Sequence, residues 1–337
     1  MRKRHITFQN VSKEVGDKRL ILENLSFEVF EGETLVILGL SGSGKTTILK
    51  MINRLEKQTK GSILIDDRYV EEFDERKLRL GIGYVFQSIE LFPHFTVEEN
   101  ISIVPELLKW DKEKINQRVD TLLKLLNLPE VGLKKRYPRE ISGGQKQRVG
   151  VARALSSDPS ILLMDEPFAA VDPITKDKVL RQFRKLKSIL HKTTVLVTHD
   201  IMEAFFIADR ILLLHKGKPL QIDTPENFLN HPKHPFVREF MGKKRFLLIL
   251  MLKKISDLSK GFSGEEKMID EEISLDIEDS FADAYERFSA SNFEKILIKQ
   301  NANPVGYLEK RFFLENLSQT FSKDLKEKDI FEYAGAE

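Results

Sequence analysis

An apolar segment, Thr34-Leu35-Val36-Ile37-Leu38, runs straight into Gly39-Leu40-Ser41-Gly42-Ser43-Gly44-Lys45-Thr46. No other feature restricts the fold as strongly. The second segment has the spacing G-x-x-x-x-G-K-[ST], which demands a strand, a tight turn and a helix in succession. Its glycines let the backbone curl round an anion with N–H groups turned inward. A helix expected from Lys45 to Arg54 adds its positive N-terminal end. Lys45 is expected to reach the β- and γ-phosphates of a nucleotide, and the Thr46 hydroxyl to bind Mg²⁺. The candidate nucleotide-binding stretch is Gly39, Leu40, Ser41, Gly42, Ser43, Gly44, Lys45, Thr46 and Thr47.

The rest of residues 5–242 alternates strands and helices. Ile82 to Phe86, Ile161 to Met164 and Thr194 to Thr198 read as strands. Glu113 to Asn127 carries Ile115, Val119, Leu122 and Leu126 on one helical face, and Lys176 to Leu190 carries Val179, Phe183, Leu186 and Leu190. Uninterrupted apolar strands between amphipathic helices predict a parallel sheet covered on both faces.

Ile161-Leu162-Leu163-Met164 ends in Asp165-Glu166-Pro167. Asp165 is placed to hold the Mg²⁺ shell and Glu166 to polarise an attacking water. Alone, a solvated acidic turn would explain both carboxylates as well. Twenty residues upstream, however, stands Ile141-Ser142-Gly143-Gly144-Gln145. Ser142 can cap the helix that follows, and the two glycines bare its N–H groups. One nucleotide has no use for two anion cradles about 100 residues apart in one chain. A dimer has: the loop of one copy holds the nucleotide and the Ser142 cradle of the other closes on it.

With these motifs in this order, the sequence resembles ABC transporter ATPases across residues 5–242. The resemblance implies a P-loop α/β core with a helical subdomain. Ser142-Gly143-Gly144-Gln145 matches the family signature, with Ile141 where leucine is usual. Gln87 matches the glutamine that touches Mg²⁺ or the attacking water, Asp172 the loop that crosses the dimer interface, and His199 the histidine on the γ-phosphate. The implied catalytic set is Glu166, His199, Gln87 and Lys45, and the implied Mg²⁺ set is Thr46, Gln87 and Asp165. The family often stacks adenine on an aromatic residue where this chain has Val15. Weaker base recognition, or compensation by a neighbour such as Phe8, is therefore expected.

Leu91 to Trp110, with Met51 to Leu55 and Asp172 to Thr175, resembles the import ATPases for glycine betaine, carnitine, choline and proline. The alternatives are an import ATPase for an amino acid, polyamine or anion, and a soluble ABC ATPase. The implied partners are a second copy of the chain, integral membrane permease subunits and, indirectly, a solute-binding protein. The implied location is the cytoplasmic face of the cell membrane, as a peripheral subunit.

Composition narrows the remaining choices. A formal net charge of +2 gives no reason to expect nucleic acid, and the absence of cysteine excludes disulfides and thiolate metal sites. No apolar run follows the basic start, so a secretory signal is not expected. The longest apolar run, Phe246 to Leu252, is too short to span a bilayer, and reads as a buried strand or short helix. Composition shifts near residue 243, and Glu265 to Asp279 is strongly acidic. Residues 243–272 are expected to be a linker and 273–337 a small α+β regulatory domain. Ser274 to Leu317 reads strand, helix, strand, turn, strand, helix, and resembles one CBS motif.

Overall fold

The computed structural model describes residues 2–16, 19–88, 90–129, 132–169, 171–258, 262–263, 274–290 and 293–322. They fall into two compact units, Met1–Phe240 and Met241–Glu337.

The first unit is built on a six-stranded sheet. Its order is Lys218–Asp223, Arg210–His215, Thr34–Leu38, Thr193–Thr198, Ile161–Asp165, Ile82–Val85. Every pairing is parallel except the Arg210–His215/Lys218–Asp223 hairpin. All residues of Thr34–Leu38, Ile161–Asp165 and Thr193–Thr198 are buried, the pattern of strands covered on both faces. Register brings the carboxyl ends together: Leu38 pairs with Thr198, Asp165 with Val197, and Val85 with Met164. Four loops therefore leave one edge of the sheet side by side, where open α/β sheets bind ligands.

A second sheet lay outside the sequence reading. Arg19–Phe30, Arg4–Val15, Lys60–Ile65 and Arg68–Tyr69 form an antiparallel sheet in that order. Its inner residues include Ile6, Phe8, Leu25, Phe27 and Ile63, which share one core with Ile48 and Ile52 of the helix Lys45–Ile52. Asn10 and Asn24 take left-handed backbone (φ 50° at each) where the pairing register slips. Their amides are held by Ser26 Oγ and Ser12 Oγ, both at 2.9 Å.

The helices Val97–Leu107, Lys112–Leu125 and Gly143–Leu155 pack on one another and form the expected helical subdomain. Ile115, Val119 and Leu122 are buried as their spacing predicts, joined by Leu123. In the helix Pro173–Leu190 the buried stripe is Leu180, Phe183 and Leu186, one position round from the expected start at Val179. Asn100, fully buried, pins the turn before Val97–Leu107. Its amide nitrogen donates to the carbonyls of Phe92, Phe95 and Thr96 at 3.2, 3.1 and 2.9 Å, and its Oδ1 accepts from the Phe92 amide at 2.8 Å.

The second unit has its own sheet, ordered Phe262–Ser263, Asn303–Glu309, Lys295–Gln300, Ser274–Asp276. Helices Phe281–Ala290 and Lys310–Ser322 complete the strand–helix–strand–strand–helix order read from the sequence. Phe281, Phe288 and Phe313 meet in its core. The linker expected over 243–272 needs correction at its start. Arg245–Leu252 is a helix and Ile255–Leu258 a 3₁₀ turn, and Leu248, Ile249, Leu250, Ile255 and Leu258 are buried. Apolar residues at that density cannot stay solvated, so the segment folds into the unit. Residues 259–261 and 264–272 of the expected linker lie outside the described residues, as do 273, 291–292 and 323–337 of the expected tail domain. Among the described residues, no helix is long and apolar enough to cross a membrane.

Asn100→Ala takes the side-chain partner from the Phe92 amide and the Phe95 carbonyl, while the Phe92 and Thr96 carbonyls keep backbone donors. Orphaning a buried group costs about 1–3 kcal/mol. Hydrogen exchange at the Phe92 amide is expected to accelerate about tenfold or more, since 1.4 kcal/mol is a factor of ten. Unchanged protection would show that Asn100 does not hold this turn.

Candidate nucleotide site

The glycine-rich loop leaves the strand Thr34–Leu38 and has no room for side chains at two of its glycines. A Cβ at Gly39 would lie 2.4 Å from the Leu214 carbonyl oxygen, and one at Gly44 would lie 2.5 Å from Leu22 Cδ2. Gly44 also has φ 101°, in the left-handed region, as it starts the helix Lys45–Ile52. Within this cradle the Ser43 hydroxyl is buried and has no partner among the described residues. The Lys45 ammonium is also buried, and donates to the carbonyls of Gly39 at 2.9 Å and Leu40 at 3.0 Å. Burial pushes its pKa down, against the pull of Glu166 and Asp165. A desolvated ammonium and a buried unpartnered hydroxyl beside a tight loop fit an anion such as phosphate.

The carboxylates stand at the end of the strand Ile161–Asp165, separated from Thr34–Leu38 by Thr193–Thr198. Asp165 Oδ1 accepts from the Thr46 hydroxyl at 3.0 Å, so loop and strand are joined directly. Burial raises the Asp165 pKa, and the Thr46 hydrogen bond opposes the rise. Thr46 and Asp165 offer two hard oxygen donors on one spot, which fits a Mg²⁺ ion that takes its other ligands from phosphate and water. Gln87, expected to be a third, instead directs its amide at Glu166.

Glu166 takes left-handed backbone (φ 43°), and its amide donates to the Val197 carbonyl at 3.0 Å. That turn aims its carboxylate out of the sheet. One oxygen, Oε2, meets His199 Nδ1 at 3.0 Å and Gln87 Nε2 at 3.5 Å. The structure thus brings Lys45, Thr46, Asp165, Glu166, Gln87 and His199 together at one edge. His199 is mostly exposed there, as is Leu40, so the site opens to solvent.

Ser142, Gly143, Gly144 and Gln145 lie at a helix start as expected. Ser142 Oγ accepts from the Gln145 amide at 3.3 Å, and Gln145 Oε1 accepts from the Ser142 amide at 3.0 Å. This reciprocal cap leaves open space beside Gly143 and Gly144, where an added Cβ would meet nothing within 4 Å. Asp172 is exposed, just before the helix Pro173–Leu190.

Two points were not visible in the sequence. Val15 is partly exposed at a strand end, but Phe8 cannot stand in for it as an adenine platform. Phe8 is 1% exposed and stacked on Phe27 at 4.4 Å, locked in the core. Arg153, in the last turn of the helix Gly143–Leu155, donates to the Glu90 carbonyl at 2.7 Å and lies over the Phe92 ring. It ties the segment after Gln87 to the helix that Ser142 caps. A charge among apolar helical neighbours was the only hint.

Known proteins match this arrangement. The family model described as ABC transporter covers residues 22–169. The choline transport ATP-binding protein OpuBA of Bacillus subtilis (strain 168) is 47% identical over 243 residues, 72% of this chain and 63% of that protein. The glycine betaine uptake system ATP-binding protein YehX of Escherichia coli (strain K12) is 40% identical over 306 residues, 90% of this chain and 97% of that protein. The chain thus spans nearly all of the second but only 63% of the first. Among solved structures, a dimeric ATP-binding cassette in a post-hydrolysis state with ADP and Pi aligns with TM-score 0.58. It is 36% identical and covers 65% of this chain and 98% of its own.

The two kinds of glycine separate experimentally. Gly44→Ala is expected to lower the unfolding free energy by about 1–3 kcal/mol, the cost of a strained left-handed residue. Gly143→Ala, with open space around it, should stay within about 1 kcal/mol of wild type. Denaturant titration checks both, and equal losses at the two positions would contradict the geometry.

Proposed function

This chain belongs to the ATP-binding family of ABC transporters, and on that footing we propose that it hydrolyses ATP as a dimer to drive import of osmoprotectants such as glycine betaine, choline or carnitine. The observation that carries the hydrolytic part is the Glu166 carboxylate, held between His199 and Gln87 beside the Thr46–Asp165 pair.

Each residue has a task that its geometry suits. The Gly39 to Thr47 loop binds the phosphates, and Lys45 exchanges its carbonyl partners for β- and γ-phosphate oxygens. Thr46 and Asp165 hold Mg²⁺, which supplies charge neutralisation at the phosphates when bound. Glu166 orients water and accepts its proton, Gln87 positions that water, and His199 contacts the γ-phosphate. Ser142 to Gln145 of a second copy face the nucleotide across the dimer, with Asp172 at the same junction. The helix start at Gly143 and Gly144, with open space beside both glycines, supports this reading.

The solute class rests on likeness alone. Leu91 to Trp110 supports it, as do the choline and glycine betaine transport roles of the relatives. The same exposed segment, with Phe92 and Phe95 at its surface, suits docking of a membrane permease, and a solute-binding protein would act through that permease. The chain then sits peripherally on the cytoplasmic face of the membrane. The small second unit serves a regulatory role in this reading.

Glu166→Gln is expected to keep ATP binding and lose about 10²–10⁴ in turnover, the usual worth of a positioned base. Steady-state phosphate release decides this, and near-wild-type turnover sinks the assignment. Uptake of labelled glycine betaine and choline at high and low osmolarity, with and without Lys45→Ala, tests the solute. Uptake that persists in the variant would remove the osmoprotectant reading.

A further inference from the structure

Lys176 lies one turn into the helix Pro173–Leu190, and its backbone amide donates to the Asp172 carbonyl at 2.9 Å. Its ammonium contacts two carboxylates, Asp200 Oδ2 at 2.7 Å and Glu203 Oε1 at 2.6 Å. Glu203 is only 3% exposed, and its second oxygen accepts from the Thr198 hydroxyl at 2.5 Å. The same hydroxyl accepts from the Asp200 amide at 3.0 Å, and Asp200 Oδ1 caps the helix Ile201–Ile207 through the Met202 amide at 2.9 Å. Thr198 and Asp200 are the chain neighbours of His199. Both sides of the histidine are therefore fixed by one network centred on a lysine from another helix.

A buried carboxylate is tolerated only with its partners in place. Glu203 could have been apolar if packing alone were required, since it lies on the buried side of a short helix. The same helix pair has a second clamp, where Lys187 Nζ donates to the Ile207 carbonyl at 2.9 Å and Asp209 Oδ1 at 2.7 Å. That clamp touches no neighbour of His199, so it provides an internal comparison.

We propose that Lys176 is a positioning residue for hydrolysis: it ties the turn carrying Asp172 to the peptide carrying His199, and so sets the His199 ring against Glu166. This rests on the hydrolysis reading above. Lys176 itself touches neither nucleotide nor water. It acts through Asp200 and Glu203, which hold the backbone on either side of the histidine.

ATPase kinetics and thermal unfolding of full-length variants test the idea. Lys176→Met should lower kcat about ten- to a hundredfold, as small displacements of catalytic groups do, with the KM for ATP within about threefold. Lys176→Arg should restore kcat to within about threefold, because a guanidinium can reach the same two carboxylates. Lys176→Met also leaves Glu203 buried and unpaired, so a paired variant separates folding from positioning. Lys176→Met with Glu203→Gln should regain the thermal midpoint but not kcat. Lys187→Met should keep kcat within about twofold, since its clamp touches no neighbour of His199. Wild-type kcat in Lys176→Met, or recovery of kcat together with the midpoint in the paired variant, overturns the proposal. If Glu166→Gln still loses turnover in the same series, the hydrolysis reading stands without it. If Glu166→Gln stays active, both fall.

Discussion

The hydrogen bond from the Thr46 hydroxyl to Asp165 joins the two halves of the site, and the sheet exists to make it possible. Thr46 belongs to the helix that follows one strand, and Asp165 ends another. They meet because Thr34–Leu38, Thr193–Thr198 and Ile161–Asp165 run parallel and finish in register at the same edge. Parallel strands need covered faces and helical crossovers, so the apolar runs, the amphipathic helices and the clustered loops are one constraint seen at three levels. Polar groups gather at that edge because the interior cannot hold them. Asp165 and Lys45 are already mostly desolvated there, each pushed toward its neutral form by burial. Such a site gains from a charged ligand that replaces the water it has lost.

Much of this could be read from the chain. The glycine spacing, the strand before Asp165-Glu166 and the Ser142 cradle are local in sequence, and each imposes its own geometry. Four strands of the main sheet, Thr34–Leu38, Ile82–Val85, Ile161–Asp165 and Thr193–Thr198, carry apolar runs that mark them, whereas the partly polar Lys218–Asp223 and its neighbour Arg210–His215 do not stand out. What was missed is long-range. The antiparallel sheet hides because Arg4–Val15 and Arg19–Phe30 mix polar with apolar residues and bend at Asn10 and Asn24, so no continuous apolar run marks them. Phe8 looked available as an adenine platform because sequence gives no hint of its stack on Phe27. The start of the second unit resembled a linker because a charge shift at Lys243-Lys244-Arg245 precedes the buried helix Arg245–Leu252. Lys176, Asp200 and Glu203 look like ordinary surface charges until the fold brings two helices together.

Lys45 is turned onto its own loop, and the Ser142 helix end is capped with nothing opposite its glycines. Both features have a single explanation if nucleotide draws Lys45 outward and a second copy supplies the facing helix. The amide hydrogen bond from Gln87 to Glu166, at 3.5 Å, is long enough to loosen as that closure proceeds. The exposed turn held by Asn100 and the bridge from Arg153 to Glu90 lie between Gln87 and the Ser142 helix. Movement at one end has a covalent and hydrogen-bonded route to the other.

In the proposed mechanism, one nucleotide is shared by two copies of the chain. Sedimentation velocity of Glu166→Gln, with and without ATP, tests it most directly. A monomer is expected to become a dimer when ATP is added, and to return to monomer when Ser142→Arg is introduced in the same background. A single mass at saturating ATP, with nucleotide demonstrably bound, would contradict it.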